Sequence, residues 1–422
     1  MDADVVVVGA GLAGLRCAVE LVASGHEVLV VEAEDEVGGR IRTERVDGFQ
    51  VDRGFQLLNP AYPAVRRWVD TDALRLGTFE AGVAALTERR LVRLGHPLRA
   101  PRLIGPTLRG VAGAAGDVAG LARWARPLAH RSSRTHLEAV TRRPDTTLGD
   151  SLDAAGLSGT LRRVLERFFA GVLLDDTQSS SAAYARLLTA TFAAGNPGLP
   201  AAGMQALPRQ IAAPLGSRIR LGTPVRGVEA AGSGYTVATD GAALRCRRVV
   251  VAAGPTAAAS LTGIPVPAMR GVVTHWWVTP DEPSPHRVLH VDARRRPTGP
   301  LVNTAVISHA APTYAPVGWH LVVASALTGA GRRQPDEPAM RRHAAELLGA
   351  GARGFADWRS VARHDIPHAL PAQNVPLTVT RPVELTSGVV VCGDHRDTAS
   401  IQGALVSGHR AARHISARLV SG

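Results

Sequence analysis

Residues 5–32, VVVVGAGLAGLRCAVELVASGHEVLVVE, decide the fold. Val5–Val8 form an apolar, β-branched run, the composition of a strand covered on both faces. Gly9, Gly11 and Gly14 follow in G-x-G-x-x-G spacing, with Leu12 and Ala13 between the second and third. Gly9 permits a tight bend, Gly11 lets a pyrophosphate reach the backbone, and Gly14 lets a helix lie close to the strand. Leu15, Ala18, Val19 and Val22 share one face of that helix, which stops at Gly25. A second strand runs from Glu27 to Val31, and Glu32 closes it where ribose hydroxyls would sit. Strand, glycines, helix, strand and acid in this order predict a dinucleotide-binding βαβ unit. The carboxylate of Glu32 opposes a 2′-phosphate there.

Beyond Glu32 and Ala33, the run EDEVGGRIRT sets Gly38, Gly39 and Arg40 beside the same site. A guanidinium makes forked bonds to phosphate oxygens, and glycine removes the side chain that would block them. Further along come VDRGFQLLNPAYPAV (51–65), LPAAGMQALPRQIA (199–212), LGTPVRGV (221–228), VVVAAG (249–254) and VVVCGDHRDTASIQGALVSG (389–408). Together with the first unit, these segments resemble the FAD-binding signature of the flavin-containing amine oxidase and phytoene desaturase superfamily. The likeness spans the whole chain.

That resemblance implies FAD as cofactor and assigns residues to it. Gly38 and Gly39 would admit the pyrophosphate and Arg40 would neutralise it. Gly54, Phe55 and Gln56 would pass along the flavin face, Val225 would line the adenine pocket, and Ala253 and Gly254 would turn beside the cofactor. Gly393 and Asp394 would meet the ribityl and pyrophosphate region. Ile401, Gln402 and Gly403 would start a helix whose N–H groups face the isoalloxazine edge, where reduced flavin carries negative charge. The implied fold is α/β: a discontinuous, Rossmann-like FAD-binding domain of the glutathione-reductase type (1–60, 206–265, 383–422) with an inserted mixed α+β substrate domain (61–205, 266–382). The first insertion reads as mainly helical, with breaks at Gly105–Pro106, Gly156 and Asn196–Gly198. The second alternates strands, such as Gly271–Val278 and Leu321–Ala326, with a helix near Pro338–Gly349.

Composition narrows the partners. The chain has 422 residues, 45% of them hydrophobic, enough to bury a large core. All 48 basic positions are arginine, and the net charge is +12. The arginines are scattered and only 4% of residues are aromatic, so a nucleic-acid partner is not expected. Cys17, Cys246 and Cys392 show no metal or redox-pair spacing, which fits a reducing, cytoplasmic setting. The chain opens directly on its first strand, so no leader is expected. Residues 99–134 interleave Leu103, Ile104, Leu108, Val111, Val118 and Leu121 with Arg102, Arg109, Arg123 and Arg126. Such a stretch suits either a helix pair covering the substrate domain or a peripheral contact with a membrane surface.

The chemistry is less local. His275 and Trp277 share one face of a strand, and Gln56 lies on the flavin-facing run, so these three are candidate catalytic groups. Ordinary sheet packing competes for the first two. His286/His290 and His364/His368 have i, i+4 spacing, but Pro285 and Pro367 argue against a metal-binding helix, so no metal is expected. The absence of lysine removes both a lysine-held water and a Schiff base. The expected activity is oxidation or desaturation of a largely apolar small molecule. An amine-derived substrate, or redox-neutral isomerisation or cyclisation, remains as the alternative. Oligomeric state is left open.

Overall fold

The computed structural model describes residues 1–96, 99–110, 115–128, 144–329, 331–350 and 354–420. Residues 111–114 and 129–134 of the arginine-studded stretch lie outside them. Strand β1 (Ala3–Val8) is central to the first sheet, with β2 (Val28–Val31) parallel on one side and β10 (Leu244–Val251) parallel on the other. The sheet order is β8 (Val225–Ala231), β9 (Gly234–Thr239), β10, β1, β2, β7 (Ile219–Arg220), and β16 (Val390–Val391) lies parallel to the far end of β10. Val5, Val6 and Val7 are wholly buried because both faces of β1 are covered, as an unbroken valine run requires. Each fully buried valine contributes roughly 1.5–3 kcal/mol over an exposed one.

Helix α1 (Leu12–Ala23) lies against the last helix, α10 (Ile401–Val420), and the approach is backbone to side-chainless backbone. A Cβ at Gly408 would overlap the carbonyl oxygen of Ala13, and a Cβ at Gly14 would overlap that of Gly9. The two ends of the sequence therefore close on one another at the tip of β1.

The second sheet runs β15 (Arg359–Pro371), β11 (Met269–Thr279), β14 (His320–Thr328), β13 (Leu301–Val306), β12 (Leu289–Asp292), β5 (Gly82–Leu86), β6 (Leu91–Gly95). Only β12 and β5 pair parallel; the rest are antiparallel. The first insertion is mainly helical, as expected, but residues 82–95 add a hairpin that completes this sheet. Its period-two pattern is carried by small residues: Ala85 and Val92 pack with Val164 and Val291, while Ala84 faces Leu103 and Val288. Gly105–Pro106 also begins a helix, α3 (Ile104–Gly110), rather than interrupting one, since proline is tolerated in a first turn. Helices α4 (Ala115–Ala125), α5 (Thr160–Leu173) and α6 (Ala182–Ala194) share a core through Trp124, Phe169 and Tyr184, and α7 (Ala206–Ala212) follows them. The helix expected near 338–349 is α9 (Glu337–Leu348), stopped by Gly349 at φ +82°.

Hairpin β3 (Thr43–Val46) and β4 (Phe49–Asp52) turns at Asp47–Gly48, both with positive φ. Its last residue, Asp52, is fully buried and ties three separate segments together. It accepts hydrogen bonds from Thr43 Oγ1 (2.5 Å), Met204 N (3.0 Å) and Tyr314 Oη (2.9 Å). Desolvation outweighs these bonds and pushes its carboxyl up to about 6. The native chain then keeps a proton between about pH 4 and 6 that the unfolded chain has lost, so stability falls as pH rises through that window.

Three expectations follow from these contacts. Asp52→Asn keeps an acceptor for Met204 and Thr43 and should flatten the decline in urea-unfolding stability between about pH 4 and 6. Asp52→Leu strands three donors and should cost about 3 kcal/mol. Gly408→Val should lower the unfolding midpoint by forcing α10 off α1, at about 1–3 kcal/mol, with Gly116→Ala as the harmless control.

Candidate functional site

The crease at the tip of β1 is walled by glycine. Gly9 bends at φ +104°, and Gly11 forms a parallel bridge with Gly38, whose N–H donates to Ala10 O at 2.8 Å. Gly11 is the N-cap of α1 and offers no side-chain cap, so the first-turn N–H groups face outward. A Cβ on Gly11 would meet nothing within 4 Å, whereas one on Gly39 would reach within 3.5 Å of Gly11 Cα. The concavity is therefore open only because both walls lack side chains. Uncapped N–H groups at a helix start, bare backbone and a nearby guanidinium fit a pyrophosphate.

Glu32 sits buried at the end of β2, where it braces the glycine turn. Its Oε2 accepts from Ala10 N at 2.6 Å and its Oε1 from Glu34 N at 3.0 Å. Ala33 and Gly39 lie exposed at the rim. Val225 and Ala253 pack against the core that holds Val31, and Gly254 opens α8 (Pro255–Thr262), again without a side-chain cap.

Arg40 reaches across the crease. Its Nη1 donates to Ala369 O (2.9 Å) on β15, and its Nη2 pairs with Asp394 Oδ1 (2.5 Å). Three distant segments thus meet at one guanidinium. Gln56 holds that arrangement, with Nε2 donating to Arg40 O (2.8 Å) and Arg53 O (3.1 Å). Gly54 stands at φ +86°, and a Cβ there would lie 2.8 Å from Ile366 Cδ1. Phe55 meets the ring of Phe79 edge-on at 6.2 Å.

At the carboxyl side, Gly393 N donates to Ser407 Oγ (3.1 Å), and Ser400 Oγ accepts from Gly403 N (3.0 Å) before Ile401 opens α10. A Cβ on Gly403 would overlap Thr398 O. Gln402 turns aside: its Oε1 accepts from Ala64 N (2.8 Å) in the first turn of α2 (Pro63–Trp68). Tyr184 Oη donates to Ala399 O (2.9 Å), anchoring the loop to the helical layer.

The catalytic candidates separate. Gln56 is at the crease in a positioning role. His275 and Trp277 are on the other side of the second sheet, stacked at 5.5 Å. Trp277 packs with Met340, Ala344 and Trp358, and its Nε1 donates to Glu337 of α9 at 2.7 Å. Strand alternation instead turns Trp276 inward, into one core with Leu12, Leu15 and Phe79. Burial, then the charge of Arg363, lowers the His275 imidazole, leaving it neutral beneath a helix. Asp175, just past the end of α5, accepts from Thr177 Oγ1 (2.6 Å) and Ser180 Oγ (2.7 Å).

Other residues carry no site role in the sequence reading. His395 is buried beside Asp394, with both ring nitrogens lacking a partner among the described residues, and desolvation holds it down at about 4. Glu44, Arg53, His364 and Ile366 line a cavity of about 520 Å³ between β3–β4 and β15. The signal for Arg53 was its place before Gly54, and for His364 and Ile366 the period-two spacing on β15. Among the described residues, no cluster of three metal-ligating side chains occurs.

The model of the family described as "Flavin containing amine oxidoreductase" matches residues 12–416. A Mycobacterium tuberculosis protein named "Putative flavin-containing monoamine oxidase AofH" is 32% identical over 296 residues, 65% of this chain and 62% of that protein. The match thus spans less than two thirds of that relative's length. Among solved structures, putrescine oxidase bound to putrescine superposes with TM-score 0.68 at 20% identity, covering 99% of this chain and 100% of the other. Cyclohexylamine oxidase from Brevibacterium oxydans gives TM-score 0.65 at 18% identity, covering 99% and 100%. An oxidoreductase from Methanosarcina mazei gives 0.68 at 16%, covering 97% and 99%. At such identities the structures establish the shared fold. With the family model running almost end to end, the chain belongs to the flavin-containing amine oxidoreductases, whose members bind FAD.

Proposed function

We propose that this chain oxidises or desaturates a largely apolar small molecule, passing hydride to FAD that dioxygen or another acceptor re-oxidises. The carrying observation is the wall beside the flavin-facing run. Phe55 lies against Phe79, Ile366 closes over Gly54, and Leu57 and Tyr62 pack behind them. The carboxylates at the crease are engaged: Glu32 by Ala10, Asp52 by Thr43, Met204 and Tyr314, and Asp394 by Arg40. With no lysine either, the chain's work is to orient a C–H bond, exclude water and compensate charge. Bound FAD would supply the two-electron acceptor. Arg40 and the start of α10 would offset negative charge arising there.

In this reading, residues 61–205 and 266–382 form the substrate-binding part around the second sheet, and the substrate enters as a free small molecule. A cytoplasmic setting accords with the three free, buried cysteines. A second reading, an amine substrate, is favoured by the cavity beside Ile366. There Glu44 lies 3.4 Å from His364 and could hold an ammonium group.

Anaerobic mixing of the yellow protein with isoprenoids, porphyrinogens and amines separates these readings through loss of flavin absorbance. Bleaching by an isoprenoid or porphyrinogen is the expected outcome. Bleaching by amines alone would overturn the apolar reading in favour of the second, and flavin left oxidised by every compound would point to redox-neutral use. If amines bleach it, Glu44→Gln should raise KM for the amine more than it lowers kcat.

A further inference from the structure

Away from the crease, α3 presents an apolar pair to solvent. Ile104 is 42% exposed and Leu108 65%, and a spacing of four residues puts them on one helix face. The helix is firmly seated on its other side. Leu103, immediately before it, is buried against Ala84, Ala100 and Val288, and Thr107 Oγ1 accepts from Gly95 N at 2.9 Å. The exposure is therefore a fixed orientation of the helix, set by the β5–β6 hairpin beneath it. Val118 of α4, 45% exposed, adds to the same part of the chain.

Arg102, two residues before Ile104, lines a cleft of about 270 Å³ together with Arg99 and Arg287, with Glu80 as its one carboxylate and Asn196 at its side. Arg102 and Arg287 are exposed and make no ion pair among the described residues. Arg99 spends its Nη1 on the carbonyls of Phe192 and Ala193. Three guanidiniums against one carboxylate leave the cleft positive, on a chain whose net charge is already +12.

We infer that α3 and the Arg99–Arg102–Arg287 cleft dock this protein on an anionic lipid surface, Ile104 and Leu108 entering the acyl boundary while the guanidiniums meet lipid phosphates. A bilayer surface satisfies both halves of the patch at once, since arginine snorkels to the phosphate level beside an inserted apolar side chain. A free phosphate would engage the arginines and leave Ile104 and Leu108 in water. A second copy of the chain would set one positive cleft against another. Phe79 packs on Phe55 while its neighbour Glu80 lines the cleft, so the docked face adjoins the apolar wall of the crease. The docking itself does not rest on the identity of the substrate.

The test is co-sedimentation of the full holoprotein with vesicles of phosphatidylcholine alone and of phosphatidylcholine containing phosphatidylglycerol, at low and raised salt. Binding to the anionic vesicles only, weakened by salt, is expected. Arg102→Gln with Arg287→Gln should weaken it about thirtyfold. Ile104→Ser with Leu108→Ser should weaken it about tenfold or more. All four positions are at the surface, so flavin absorbance and circular dichroism of both double variants should match the parent. Failure to bind anionic vesicles would overturn the inference. So would binding indifferent to Ile104 and Leu108, which is charge adhesion alone, or binding abolished by millimolar inorganic phosphate at constant ionic strength. A dimer in solution that the Leu108 change dissolves would assign the patch to self-association instead.

Discussion

The tip of β1 is lined with bare backbone, the kind of surface a diphosphate needs, and much of this structure is arranged to keep it bare. Gly11 and Gly39 keep the concavity open, and Gly14 brings α1 down onto the turn whose N–H groups point outward. Gly408 then lets the last helix press on Ala13. Close approach at these points is what brings residues near 10, 40 and 400 together. If α1 stood further from β1 or from α10, neither Arg40 nor Asp394 would reach the same place.

Charge at the crease is organised around that geometry. Arg40 is held from three directions, by Asp394, by the carbonyl of Ala369 and, through its own carbonyl, by Gln56. A guanidinium fixed in this way presents its remaining N–H groups without further ordering. His395, buried next to Asp394 and without a partner among the described residues, marks the same neighbourhood as short of a hydrogen-bonding group. Asp52 plays the opposite part, its three donors turning a buried carboxyl into the joint between the hairpin, the loop at Met204 and the turn at Tyr314.

The sequence shows the crease well because its information is local. Gly9, Gly11, Gly14 and Glu32 fall inside one strand–helix–strand unit, and their spacing alone places them. Arg40 and Asp394 were legible only through resemblance, and their contact across 354 residues was not legible at all. His275 and Trp277 lie away from the crease for a physical reason: both faces of β11 are covered, so alternation says which residues share a face without saying which face turns toward α1. The hairpin at 82–95 was hidden by alanine, which fills a close-packed sheet but carries little periodic signal. A buried acid such as Asp52 runs against the usual place of acids at the surface.

The most direct measurement is a titration of the flavin-stripped chain with FAD, followed by quenching of flavin fluorescence and by the return of yellow colour. The account predicts uptake of one equivalent, abolished when valine replaces Gly11 while the circular dichroism stays unchanged. A chain that stays colourless, or a Gly11→Val protein that takes up FAD as well as the parent does, would contradict it.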